Sequence, residues 1–141
     1  MTIKFTEPKK ILPEDIEELE KVVGCSINKE AYDFLKQYSG AEPELNMFYF
    51  TKNELSSIRE INTIPEIIEY YKMIDYEIDK LDPFMIPITF DQGGNQIYLS
   101  LREGSAIYFL EHETADIYKV ANSIHDFLQM IIPDNFDLEP V

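Results

Sequence analysis

Few residues in this sequence are of the types that carry chemistry, and they stand far apart. His112 lies between Glu111 and Glu113, and an imidazole flanked by carboxylates could move protons or hold a metal ion. That work needs ligands fixed by supporting groups. One His with two neighbours in a short loop offers none, so the segment reads as a solvated hairpin turn. His125 falls in the first turn of an expected helix and reads as a surface residue. Cys25 is the only cysteine. A single thiol closes no internal disulfide, and with only His112 and His125 beside it a structural zinc site is not expected. Neither Cys25 nor any serine is placed with a recognisable His and orienting acid, so Cys25 reads as a small buried hydrophobe. The run Asp91-Gln-Gly-Gly-Asn95 is the remaining candidate, since glycine-rich turns can cradle phosphate through backbone N–H groups. Phosphate loops open a helix and bring a nearby Lys, whereas this run has strand-like sequence on both sides. It reads as a hairpin turn that needs a positive φ, with Asp91 and Asn95 bonding back onto it. No catalytic set, metal or cofactor is expected.

Charge says more than motif does. Asp and Glu number 27 against 12 Lys and Arg, a formal net charge of −15. Such a field repels phosphate, which disfavours direct binding of nucleic acid or anionic lipid and favours a basic partner. The longest apolar runs, such as Ile86 to Ile88 or Ile107 to Leu110, fall far short of the roughly 20 residues that a membrane-spanning helix requires. The opening MTIKFTEPKK has no apolar stretch of the kind a secretory signal carries, so the expected location is cytoplasmic. A chain of 141 residues with 45% hydrophobic content can bury its own core as one domain. That core is expected over about 11–132, with 133–141 as an acidic tail.

The elements that must position these residues are helical first. Ile16, Leu19 and Val23 recur at helical spacing from Pro13 to Val23; Pro13 suits the first turn and Gly24 the C-terminal cap. A second helix is expected from about Asn28 to Tyr38, with Ala31, Phe34, Leu35 and Tyr38 on one face, so the two form a hairpin. Leu45 to Phe50 reads as a strand. Thr51 with Glu54 matches a capping box opening a short helix that would bury Leu55, Ile58 and Ile61. Thr63 with Glu66 repeats the pattern and opens a longer helix with the stripe Ile64, Ile67, Tyr71, Ile74 and Ile78.

The period then changes to two. Met85 to Phe90, Gln96 to Leu101, Ala106 to Leu110 and Ile117 to Val120 read as four strands of an antiparallel meander. Alternation puts Ile86, Ile88 and Phe90 on the core face with Ile97, Leu99, Leu101, Ile107 and Phe109, and it puts Tyr98, Tyr108 and Tyr118 together on the other. Ser123 caps a last helix carrying Ile124, Phe127, Leu128 and Ile131. The expected class is α+β: an antiparallel meander packed with an N-terminal helical hairpin, a middle helix and a C-terminal helix.

This order carries a resemblance. IEELEKVVG and EAYDFLKQYSG are followed by ELSSIREIN, IPITFDQGGNQIYLSL, IYFLEHE and YKVANSIHDFLQMI, and the series from Ile11 to Ile132 is similar to the SUKH superfamily. Its most specific pieces are the IPI strand leading into the Gly-Gly-Asn turn and the late ANS segment with its Phe-Leu pair. The chain departs from the family in having Ile27-Asn28 where a Leu-Pro pair is usual, and in having no tryptophan. The resemblance implies a binding role with no catalytic residues: bacterial members neutralise toxins encoded beside them by direct protein contact, and eukaryotic members act as regulators or interaction scaffolds. A basic toxin domain, such as a nuclease whose cleft the chain would occlude, is the implied partner.

Two features of the residues suit contact with a protein. Tyr98 and Tyr108, with Tyr118, could offer aromatic area of the kind enriched in hot spots, although a covering helix would make them core. Glu66, Glu69 and Glu77, or Glu111, Glu113 and Asp116, could meet a basic surface, although charge runs are commonly no more than solvated faces.

Overall fold

The computed structural model describes residues 5–44, 47–74 and 81–131. Helix α1, Pro13–Val23, starts with its proline and ends on Gly24 at φ 88°, whose N–H donates to Glu20 O. Proline has no N–H to leave orphaned in a first turn, and glycine takes the left-handed cap without a Cβ clash. Helix α2, Lys29–Tyr38, is capped by Asn28, whose side chain accepts from Ala31 N at 2.8 Å. Helix α3, Ile64–Met73, opens on the Thr63–Glu66 capping box as its sequence predicts. Ile74 follows the helix, and Ile78 lies outside the described residues.

Strand β1, Met47–Tyr49, is shorter than the segment expected to be strand, of which Leu45 lies outside the described residues. The Thr51–Glu54 signature forms its bonds but opens no helix. Glu54 N donates to Thr51 Oγ1 at 3.1 Å while Phe50 N donates to Glu54 O at 3.0 Å, closing a turn that leads into strand β2, Leu55–Ser57, antiparallel to β1. An i to i+3 side-chain bond serves a turn as readily as a helix start. Here pairing with β1 decides, so the short helix expected from this motif is corrected to a strand; Ile58 and Ile61 are buried all the same.

The meander forms as expected: β3, Met85–Phe90; β4, Gln96–Ser100; β5, Ile107–Glu111; and β6, Asp116–Ala121, in the order β3-β4-β5-β6, all antiparallel. Helix α4, Ile124–Gln129, follows with Ser123 capping Asp126 N at 3.1 Å. The class is α+β. Buried Ser105, at φ 62°, ties three segments together: its hydroxyl donates to Glu30 at 2.8 Å and accepts from Ile124 N at 3.2 Å.

One face of the sheet carries the main core, where Ile86, Ile88, Ile97, Leu99, Ile107 and Phe109 meet the buried residues of the helices. Phe48 of β1 joins it edge-on to Phe109 and Phe127, with ring centroids 5.9 and 5.1 Å apart. The other face holds a smaller cluster of Leu81, Met85, Tyr98 and Leu110.

Two aromatics change face. The β3–β4 register steps from Pro87↔Tyr98 to Thr89↔Ile97, leaving Ile88 as a bulge, and Phe90 then pairs with Gln96 on the second face. There it meets the Tyr70 ring at 4.9 Å. The β5–β6 register steps from Ile107↔Ala121 to Tyr108↔Lys119, leaving out Val120, so Tyr118 pairs with Phe109. One inserted residue reverses every side chain beyond it. Tyr118 is therefore on the core face, against Phe50 at 5.2 Å, and away from Tyr98 and Tyr108. Among the described residues no helix is long and apolar enough to cross a membrane.

Candidate partner-binding surface

The residues with chemical potential are bound up in structure. Asp91 is 6% exposed, and its carboxylate accepts from Gly93 N at 2.9 Å, Asn95 N at 2.8 Å, Asn95 Nδ2 at 2.7 Å and Ser56 Oγ at 2.7 Å. The first three hold the β3–β4 turn, with Gly94 at φ 88°, and the last joins that turn to β2. His112 reaches the same turn: its N–H donates to Asn95 Oδ1 at 2.9 Å and its Nε2 lies 3.0 Å from Gly93 O. The imidazole thus joins two hairpin ends instead of standing free between Glu111 and Glu113.

Cys25 is half-buried, and burial first, then the charge of Glu20, pushes its thiol up in pKa. Both effects oppose the thiolate on which cysteine reactivity depends. Among the described residues no three His, Cys, Asp or Glu side chains gather as metal ligands would. The groove lined by Glu42, Pro43, Ile58, Arg59, Glu60 and Gln92, of about 250 Å³, has no His or Cys in its walls.

The sequence-derived contact residues do not come together as one patch. Glu66 is half-buried and spends its carboxylate on the cap of α3, accepting from Thr63 N at 2.8 Å and Thr63 Oγ1 at 3.0 Å. Glu69 is exposed on the same helix, and Glu77 lies outside the described residues. Tyr98 is fully buried, with its hydroxyl bonded to Gln96, so it presents no surface in this fold. Tyr108 is half-buried and donates to Glu103 Oε1 at 2.7 Å, while Lys119 Nζ approaches Glu103 Oε2 at 3.5 Å. Burial first, then that bond and the charge of Glu103, raise the Tyr108 phenol to about 12.

Glu111, Glu113 and Asp116 do share a place, the end of the β5–β6 hairpin, where Glu111 and Asp116 are ladder partners and Glu113 and Asp116 are exposed. Sequence reasoning missed that Glu54, on the β1–β2 turn, joins them. Burial and then the charges of Asp116, Glu111 and Glu54 raise the pKa of the Tyr118 hydroxyl, which donates to Glu111 at 3.5 Å. It also missed the exposed large hydrophobics Leu12, Tyr32, Tyr49 and Met73. The one available signal was Leu12, an apolar residue in the cap position immediately before a helix-opening proline.

Few of the acidic side chains among the described residues stand in ion pairs. Ion pairs among the described residues engage Asp33, Asp82 and Glu103, whereas Glu14, Glu17, Glu18, Glu69, Glu113 and Asp116 are all exposed and none of them takes part in those pairs. Exposed carboxylates of this kind add to the long-range field without stiffening the fold.

The model of the SMI1 / KNR4 family (SUKH-1) matches residues 10–130. The chain is also similar to an uncharacterised protein derived from the SPbeta prophage of Bacillus subtilis (strain 168), YokK, with 22% identity over 160 aligned positions that cover 89% of this chain and 77% of the relative.

Proposed function

Because the chain belongs to the SMI1 / KNR4 family (SUKH-1), we propose that it is an immunity protein: it binds a cognate toxin by direct protein contact and blocks it without catalysing a reaction. The observation that carries this reading is the exposed, unpaired acid. A net charge of −15, to which Glu14, Glu17, Glu18, Glu69, Glu113 and Asp116 contribute as exposed carboxylates outside the ion pairs of the described residues, attracts a basic surface over distances beyond contact. A toxin that acts on nucleic acid needs such a surface for its own substrate. Occupying that surface is enough to inhibit it.

Steering of this kind raises association rates by about 10- to 1000-fold at low salt. Association with the toxin is therefore expected to slow at least roughly tenfold between low and high ionic strength; a rate that salt leaves unchanged would remove the electrostatic part of the reading. Function itself is tested by co-expression with the protein encoded directly upstream. Rescue of growth and co-purification are the expected results. A neighbour that is harmless when expressed alone would point instead to a regulatory or scaffold role in the cytoplasm.

A further inference from the structure

The two edges of the four-stranded sheet are finished differently. Along β3 the segment 59–62 supplies partners: Arg59 N donates to Phe90 O at 3.0 Å, Asn62 N to Ile88 O at 2.8 Å and Asn62 Nδ2 to Pro87 O at 3.1 Å. Pro87 has no N–H to offer, and residues 85–89 are all buried. That edge is closed. Along β6, among the described residues, the backbone bonds outside the β5 ladder come down to Asp116 N, which donates to Thr114 Oγ1 at 3.2 Å. Every second residue of an antiparallel edge aims its N–H and C=O away from its neighbour, so on β6 these groups face off the sheet without a partner among the described residues. An edge in that state is a template for another strand.

Proteins commonly blunt such an edge with a bulge or a lysine. Strand β6 has both, yet neither guards its first half. The bulge falls at Val120, beyond the unbroken register Asp116↔Glu111, Ile117↔Leu110, Tyr118↔Phe109 and Lys119↔Tyr108. Lys119 Nζ is drawn to Glu103, 3.5 Å away, and the same carboxylate accepts from Tyr108 of β5, so the ammonium leans inward across the sheet. Charge selects the occupant. Glu111, Glu113 and Asp116 share this end with Glu54 of the β1–β2 turn, and the cations on the same turns and strand are Lys52 and Lys119, of which Glu103 already engages the second. We propose that an extended segment of a protein partner adds to β6 as a further strand, pairing its backbone with residues 116–119 and setting a Lys or Arg against Glu54, Glu111, Glu113 and Asp116. A second copy of this chain is the poorer occupant, since it would bring the same acidic end and a net charge of −15.

The proposal rests on the immunity reading and names its contact face. It is tested with the purified protein encoded directly upstream as the binding probe, by amide hydrogen exchange of the free chain and of the complex. The off-edge amides of β6 are expected to exchange fast in the free chain and at least about tenfold more slowly in the complex. Asp116→Lys and Glu113→Lys, both at exposed positions, are expected to keep their Tm and to weaken binding about 10- to 100-fold. Glu7→Lys, the same charge change beside the Thr6–Glu42 backbone contact, should weaken it less than about threefold, through the long-range field alone. If the wild type binds while β6 exchange is unchanged, the edge is wrong and the immunity reading stands. If the wild type neither binds nor protects, the immunity reading fails and the edge falls with it. Protection of β6 with no loss in either lysine variant would overturn the basic composition of the added strand. Off-edge amides already slow in the free monomer would show the chain covering its own edge, and a wild-type dimer in sedimentation that Asp116→Lys dissociates would make the occupant a second copy; either result overturns the proposal.

Discussion

Two regions of this molecule treat their polar groups in opposite ways. At the β3–β4 turn, the Asp91 carboxylate is engaged by Ser56, Gly93 and Asn95, and His112 closes the neighbouring hairpin onto the same turn. At the start of α1 a leucine takes a place suited to a polar cap, and the carboxylates of Glu14, Glu17 and Glu18 stay exposed outside the ion pairs of the described residues. The first region uses its charge to hold backbone in place. The second leaves apolar area and charge together in solvent. Similar residue types thus build the fold in one region and stay exposed in the other.

Breaking the first region should damage stability and spare recognition. Asp91→Ala strands several partly buried donors, and urea unfolding is expected to show a loss of about 2–4 kcal/mol, while the fraction still folded binds its partner as before. If that variant loses affinity at unchanged stability, the division between the two regions is wrong. His112→Ala removes only the ring contact to Gly93 at an exposed site, and about 0.5–1 kcal/mol should go. Converting Glu14, Glu17 and Glu18 together to Gln should move stability by less than about 0.5 kcal/mol, yet slow association with the toxin.

The smallest effect expected is at the Tyr108–Glu103 bond. The folded phenol is raised to about 12 from the ordinary 10.0, so its contribution is complete below pH 10 and is lost as pH climbs through 12. The Glu103 carboxyl is lowered, first by the Tyr108 hydroxyl, from its ordinary 4.5, so its contribution is present above that value and fades as pH falls below it. In a phenolate absorbance titration Tyr108→Phe should delete a late-titrating tyrosine; a spectrum that loses an ordinary one instead would show that the bond does not persist in solution.

Much of the fold was legible because local chemistry and tertiary structure agree. Pro13 and Gly24 bound α1, Asn28 caps α2, the Thr63–Glu66 box opens α3, and Gly94 turns the β3–β4 hairpin, all by interactions within a few residues. Counting by twos fails at Ile88 and Val120, since a bulge leaves no mark in a hydrophobic pattern, and Phe90 and Tyr118 change face as a result. At Thr51 and Glu54 the local bond is real, and pairing between β1 and β2 determines what it serves.

The candidate contact residues were less legible, because a net charge can be counted in a sequence while its neighbours cannot. Glu66 and Glu69 stand on one helix, and only the fold separates the carboxylate that caps α3 from the one left exposed. Alternation placed Tyr98 and Tyr108 on the correct face. Burial then removed Tyr98 from any contact, and Glu103 engaged Tyr108.

The central claim is that the chain inhibits by occupying its partner and not by turnover. Titrating the purified protein into a fixed amount of the toxin and following residual toxin activity tests this directly. Residual activity is expected to fall linearly to zero at about one equivalent, independent of incubation time. Complete inactivation by a small fraction of an equivalent, growing with time, would contradict it.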